Sequence, residues 1–363
     1  MQTVVRLGWI AVIAAAAALA IPVCGDAAQT QKVYTFQHPA MGTQFSVYLY
    51  ARTEPEASGV ADEVFDEVDR IEQELSNYRE TSELSRIDRE AALAPVTTDP
   101  ETFRFLEQSQ HWSEASDGAF DITVGPLMKS WGFFDHSGRI PSSEELERIR
   151  PMVGYRNIEL DPAARTVRFR VAGVDLDPGG IGKGFAVDAA VAILRARHVT
   201  AALISAGSST VYALGTPPGK RGWSVVVPSG APAGSPQHAP ISTVLLRDTS
   251  LSSANCSEKN FTAGGHLYCH MMDPRTLQPV EGRLHVSIID PSATASDALS
   301  NVLFVDTPAQ SLAFLERYAP ETRALIVSAK AGGPVCTVFR WQAPVQTKRC
   351  PLLAGSGTPG QGR

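Results

Sequence analysis

Between residues 57 and 75, apolar side chains recur at Val60, Val64, Phe65, Val68, Ile71 and Leu75. This is the spacing of one helix face, and the opposite face is acidic. The spacing predicts a helix over Ala57–Leu75. Upstream, Phe45, Val47 and Leu49 alternate with polar residues, the period of a half-buried strand, so Lys32–Tyr50 reads as strand around a turn at His38–Thr43. Helical patterns follow at Pro100–Ala115, Ser142–Arg150, Ala295–Val305 and Pro308–Tyr318, with Ser142 and Glu145 in capping-box register. A second short element starts at Thr81–Arg86, and Gly118–Pro126 reads as strand or turn entering Leu127–Trp131. Tyr155–Val174 predicts two strands around Asp161-Pro162. Further strands are predicted at Ala201–Ser205, Trp223–Val227, Ser242–Leu246, His285–Ile289 and Ala324–Ser328. Pro228–Pro240 is a Pro- and Gly-rich loop. With no internal repeat and no long linker, the fold class is α/β (α+β): one large domain over 29–350, its mixed sheets flanked by helices, followed by a disordered tail at 351–363.

One stretch departs from simple periodicity, Val174–Ala190. An apolar, strand-like run carrying Asp175 and Asp177 meets Pro178 and then Gly179-Gly180-Ile181-Gly182-Lys183-Gly184. An alanine-rich helical pattern follows. Strand, glycine turn and helix N-terminus together expose backbone N–H groups where the helix dipole favours an anion. Two familiar motifs are excluded. A Walker A loop would need Gly at Asp177 and Ser or Thr at Gly184. The glycines at 180, 182 and 184 do not have the dinucleotide spacing, and no acidic residue follows the helix at the required distance.

The chain opens with Arg6 and an apolar run, Leu7–Val23, followed by small residues. This reads as a secretory signal over residues 1–28, with a lipoprotein signal acylated at Cys24 as the competing reading. The expected location is therefore the periplasm, with inner-membrane association through the N-terminus in the lipoprotein case. The formal net charge is −6 and no basic stripe is present, which excludes nucleic acid as the natural partner. Beyond Cys24 the cysteines are Cys256, Cys269, Cys336 and Cys350. Proximity pairs Cys256 with Cys269 and Cys336 with Cys350, although the other connectivities stay open.

Reactive residue types concentrate in Asn77–Glu83, in Gly265–Thr276 and in Thr294–Asn301. Asp297 and Asn301 stand four apart on a predicted helix and share a face. A carboxylate and an amide oxygen are hard ligands that suit Mg2+, unless Asp297 merely caps the helix. His270, before Asp273-Pro274, is a candidate general base or a structural histidine. His266, Cys269 and His270 do not have the spacing of a zinc site. Cys269 and His270, adjacent in a strand, point to opposite faces and make no nucleophilic dyad.

In order along the chain stand Met41-Gly42-Thr43, Leu75-Ser76-Asn77-Tyr78 with Ser82–Ser85, Phe120–Pro126 with Trp131-Gly132-Phe133, Asp177 with Gly179–Gly184, His270 with Asp273-Pro274, and Ala295–Phe304. This series resembles the FAD:protein FMN transferase family, the ApbE-like flavin transferases, from about Phe36 to Phe304. The resemblance implies an exported enzyme that binds FAD with Mg2+. It would pass FMN to a Thr or Ser hydroxyl of an acceptor flavoprotein and release AMP. It further implies that Met41, Tyr78, Ala119, Phe120, Asp121 and Met272 contact the flavin nucleotide, and that Asp177 and Lys183 lie near the FAD. Gly180, Asp297 and Asn301 would hold the metal, and His270 would stand beside the reacting phosphate, with Lys183 supplying charge.

The chain departs from that pattern at Asn301, where relatives carry Thr, and at Gly207-Ser208-Ser209, where they carry Gly-Gly-Asp. Ser252–Glu258 replaces a Ser-Gly-Asp-Tyr-like run, and Ile122 stands where Pro is common. Two alternatives use the same residues: an FAD pyrophosphatase that gives FMN and AMP, and a low-turnover flavin-binding protein.

Overall fold

A computed structural model describes residues 31–230, 239–256 and 259–353. The signal segment with Cys24, most of the Pro228–Pro240 loop and the end of the tail, 354–363, lie outside the described residues.

The frame is an eight-stranded sheet whose strands lie side by side in chain order. They are β1 (Lys32–Ala40), β2 (Thr43–Ala51), β3 (Ala201–Ala206), β4 (Thr210–Gly215), β5 (Thr249–Asn255), β6 (Arg283–Asp290), β7 (Arg323–Lys330) and β8 (Gly333–Phe339). Every ladder between them is antiparallel, so the expected α/β (α+β) domain takes its α+β form. The helices are α1 (Glu54–Leu75), α2 (Glu83–Glu90), α3 (Pro100–Ala115), α4 (Gly125–Ser130), α5 (Ser143–Ile149), α6 (Gly182–Ala196), α7 (Ala293–Val305) and α8 (Pro308–Tyr318).

The alternation read in β2 is what buries Phe45, Val47 and Leu49. They join Val64, Val68 and Ile71 of α1 and the apolar residues of α6 and α7 in the main core. The opposite face of the sheet is closed by a second cluster, in which the ribbon Trp223–Val227 with Ser242–Leu246, Trp341 and the Cys336–Cys350 disulfide take part. A third, smaller cluster of Leu127, Trp131, Phe133, Met272 and Leu277 lies under the loops that build the site.

Two expectations change and one narrows. The turn between β1 and β2 is only Met41-Gly42, both with positive φ (51° and 68°), the geometry of a two-residue hairpin turn. Of the two readings for Gly118–Pro126, strand or turn, the turn holds: Asp121 opens a short 3-10 turn, Ile122–Val124, that leads into α4. Val174–Asp177 is not a strand either. It joins no ladder, and its polar groups are taken instead by loop backbone and a side chain from distant segments. Gly125 N–H donates to Asp175 O, Asp177 N–H to Ile122 O, and Leu176 N–H to Asp88 Oδ1.

The two helices behind the glycine turn cap each other. Asp188 of α6 accepts from Ala293 and Thr294 N–H and from the Ser292 and Thr294 hydroxyls, filling the N-terminal donors of α7. Asp297 of α7 accepts from Gly184 N–H in the first turn of α6 at 2.9 Å. Their reciprocal bonds fix the glycine turn against α7.

Candidate active site

A cavity of about 660 Å3 opens where the β1–β2 turn, the C-terminal end of α1, the Ala119–Asp121 segment, the glycine turn and the Met271–Met272 segment converge. Every residue expected at the site lines it except Asp297: Met41, Tyr78, Ala119, Phe120, Asp121, Asp177, Gly180, Lys183, His270, Met272 and Asn301. Asp297, only 2% exposed, lies behind the wall that Lys183 and Asn301 form.

Each wall is held by its own bonds. Met41, left-handed in the two-residue turn, donates its N–H to Glu72 Oε2 at 3.0 Å, which ties the turn to α1. Tyr78 is 60% exposed, yet its ring stacks on Phe134 with centroids 4.4 Å apart and planes 12° from parallel. Lys129 Nζ lies over the Phe134 ring and pairs with Asp175. This aromatic pair presents a flat face at the cavity mouth, suited to a planar ring. Asp121 is buried with both carboxylate oxygens engaged. Oδ1 accepts from the Thr123 N–H and hydroxyl, and Oδ2 from Tyr155 N–H at 2.5 Å. Burial nevertheless pushes its carboxyl up from the usual range, against those bonds.

The glycine turn is a 3-10 turn capped by Asp177, whose Oδ1 accepts from Gly179 N–H at 2.8 Å. A Cβ at Gly180 would stand 3.1 Å from the Phe120 ring and 3.3 Å from the Asn301 amide nitrogen, a tight fit that those side chains would have to relax by a few tenths of an ångström. Burial raises the Asp177 carboxyl, while Lys259 and Lys183 pull it back. Lys183 Nζ also reaches Gly179 O at 3.3 Å.

Asp297 is likewise raised by burial. Lys183, Gly184 N–H and the Thr210 and Ser209 hydroxyls oppose that shift. It does not cap its own helix; Ser292 does. Asn301 turns its NH2 to the Gly180 carbonyl at 3.0 Å and to Asp297 O at 3.0 Å. Gly180 O accepts one of these bonds and keeps a second lone pair, while the Asn301 amide must turn over for its oxygen to face the same cation. The donor set itself is a buried carboxylate, a backbone carbonyl and an amide oxygen, all hard ligands on adjoining turns, and it fits Mg2+ by its chemistry. Among the described residues no group of three His, Cys, Asp or Glu side chains gathers as a metal cluster.

His270 follows the Cys256–Cys269 disulfide. Its ring Nδ1 lies 3.0 Å from the Lys259 carbonyl. A carbonyl only accepts, so Nδ1 carries the proton and Nε2 is the acceptor atom of the neutral ring. Sequence reasoning missed Lys259 and Phe134, both of which line the cavity, as does Arg79 of the reactive Asn77–Glu83 stretch. Phe134 directly follows the Trp131-Gly132-Phe133 marker. Lys259 lies between two cysteines whose pairing was the available signal. Ser208 and Ser209, noted as departures, line the cavity as well.

The ApbE family model matches residues 41–326. The FAD:protein FMN transferase of Treponema pallidum (strain Nichols) is 30% identical over 319 residues, 84% of this chain and 86% of its own length. The structure superposes on the apo crystal structure of the Pseudomonas stutzeri flavinyl transferase ApbE with a TM-score of 0.75 at 28% identity, covering 86% of this chain and 96% of that one. The crystal structure of the Thermotoga maritima ApbE protein gives 0.75 at 27% identity, covering 87% and 98%. With the family model matched over residues 41–326 and a relative 30% identical along most of both chains, the chain belongs to the ApbE family.

Proposed function

We propose that this transferase moves FMN from FAD to a Thr or Ser hydroxyl of an acceptor flavoprotein, with AMP as the leaving group and Mg2+ as the metal. One observation carries the reading: a single cavity combines a flat aromatic face, Lys183 and Lys259 beside Asp177, and a histidine whose Nδ1–H is already committed. In the reaction an O–P bond forms between the acceptor hydroxyl and the FMN phosphorus. The pyrophosphate P–O bond breaks, and AMP leaves with the bridging oxygen. His270 Nε2 takes the hydroxyl proton. Lys183 and the N–H groups at the start of α6 offset the negative charge that develops on the phosphate oxygens. Tyr78, Phe134 and Met272 hold the ring system. Mg2+, bound by Asp297, Asn301 and the Gly180 carbonyl, would supply Lewis-acid neutralisation and a template for the two phosphates.

The disulfides Cys256–Cys269 and Cys336–Cys350 support an oxidising compartment, and with the N-terminal apolar run they favour an exported, periplasmic enzyme. Among the described residues no helix is long and apolar enough to cross a membrane. Any inner-membrane attachment would therefore come through the N-terminal segment.

Product analysis tests the reading. The protein is incubated with FAD and Mg2+, with and without an acceptor domain bearing a Thr site. AMP whose release depends on the acceptor is the expected outcome. AMP with stoichiometric free FMN in both cases would favour the pyrophosphatase. FAD bound but intact would leave only the flavin-binding protein.

A further inference from the structure

We infer that the Cys256–Cys269 disulfide is a positioning device for His270, acting through the Lys259 carbonyl; this rests on His270 as the base. Cys256 directly follows β5, an interior strand of the main sheet. Cys269 ends the ribbon Asn260–Ala263 with His266–Cys269, and His270 comes next. Among the described residues that ribbon pairs only with itself. Its ties to the rest of the protein include ring contacts of Phe261 with Phe133 and of Tyr268 with Trp131, and the Asn260 side chain donates to Cys256 O at 2.7 Å.

One carbonyl meets the histidine twice. Lys259 O accepts from the His270 backbone N–H at 3.1 Å and lies 3.0 Å from ring Nδ1. The Lys259 carbonyl can orient the ring only while Lys259 keeps its place beside His270. Lys259 stands three residues after one half-cystine and His270 one residue after the other. The covalent link between Cys256 and Cys269 therefore fixes the separation of the two, and joins both to the main sheet. A cross-link acts by removing conformers in which the two strands of chain drift apart. Displacing a base by about 1 Å is enough to cost roughly 100-fold in rate.

The test is a double-mutant cycle. Cys256→Ser/Cys269→Ser is made in the wild-type and His270→Ala backgrounds, with Cys336→Ser/Cys350→Ser as control. The serine pair at 256 and 269 is expected to lower kcat for FMN transfer by about tenfold or more. The dissociation constant for FAD should move less than about threefold, because the glycine turn and Lys183 are untouched. In the His270→Ala background the same pair should cause no further loss, and the control pair should leave kcat unchanged. A normal kcat, or the same fractional loss in both backgrounds, would overturn the inference. His270→Ala at the wild-type rate would overturn the base itself and this inference with it. A slow His270→Ala beside an unimpaired serine pair would overturn the inference alone. Should the serine pair fail to fold, hydrogen exchange on the folded wild type answers the question. Tris(2-carboxyethyl)phosphine supplies two electrons, water supplies two protons and the oxygen of the phosphine oxide, and each disulfide becomes two thiols. The His270 amide should then lose its protection while the interior amides of β5 and β6 keep theirs; unchanged protection at His270, or loss throughout the sheet, contradicts the inference.

Discussion

Asp88 shows how strongly this scaffold perturbs one residue. Its Oδ1 accepts from Leu176 N–H at 3.0 Å and so holds the segment that leads into the glycine turn. Burial, with the nearby Asp175 charge second, pushes its carboxyl up to about 8. The folded state then keeps a proton that the unfolded chain has lost above pH 4. Stability from this group is present at low pH and declines as the pH rises from about 4 to about 8. Asp88→Asn still offers an oxygen to Leu176. It is expected to melt above the wild type at pH 8 and together with it near pH 4; a parallel offset at every pH would contradict the assignment. His285 works in the opposite direction. Fully buried, it is pushed down to about 4, so the unfolded chain binds the extra proton below its ordinary value of 6.5 and stability falls from there toward pH 4. At the site, His270→Ala is expected to lower kcat by about 10²–10⁴ while FAD affinity stays near that of the wild type, measured by flavin fluorescence titration. His270 and Asp297 stood out in the sequence by residue type and motif order. The tautomer of His270 did not, because it depends on the Lys259 carbonyl, eleven residues away in the chain.

Elements that obey one period were legible. The α3 and α8 spans agree with the expected residues, and α1 starts slightly earlier than expected, at Glu54, because Thr53 caps it. The extended run at Val174–Asp177 looked like a strand because its apolar residues are buried. Burial there comes from loops and side chains rather than a ladder, which no periodicity reports. The start of α7 is set partly by Asp188, a residue on another helix. Where α6 and α7 meet, the fold depends on a glycine. A Cβ at Gly184 would lie 2.2 Å from Ala293 O and 2.7 Å from Asp297 Cβ. Gly184→Ala is therefore expected to cost about 1–3 kcal/mol of stability and to weaken FAD binding, by moving Asp297 off the first turn of α6. Gly59, within α1, has nothing within 4 Å of such a Cβ. There Gly59→Ala should stabilise by about 0.5–1 kcal/mol with activity unchanged. Urea unfolding of the pair separates the effects, and equal shifts would contradict the packing argument.

At the scale of the molecule, a meander of eight strands in chain order brings the β1–β2 turn, the glycine turn and the His270 segment to one cavity. The α+β class, the approximate span and most cavity residues could be read from the chain. The pairing order and the far face of the sheet could not, since they arise from contacts between distant segments. The Cys336–Cys350 link belongs to that far face, packed with Trp341, Val338 and Ile241. Its removal by Cys336→Ser/Cys350→Ser is expected to lower unfolding free energy by about 2–4 kcal/mol without changing transfer kinetics, as read by denaturant melts beside the activity assay.

The most direct test of the account is the intact mass of an acceptor domain after incubation with FAD, Mg2+ and either the wild-type protein or His270→Ala. One FMN added through a phosphodiester to a single Thr or Ser, formed rapidly by the wild type and slowly by the variant, is the result the account requires. An acceptor that keeps its mass while FAD is converted to free FMN and AMP, or one modified equally fast by both proteins, would contradict it.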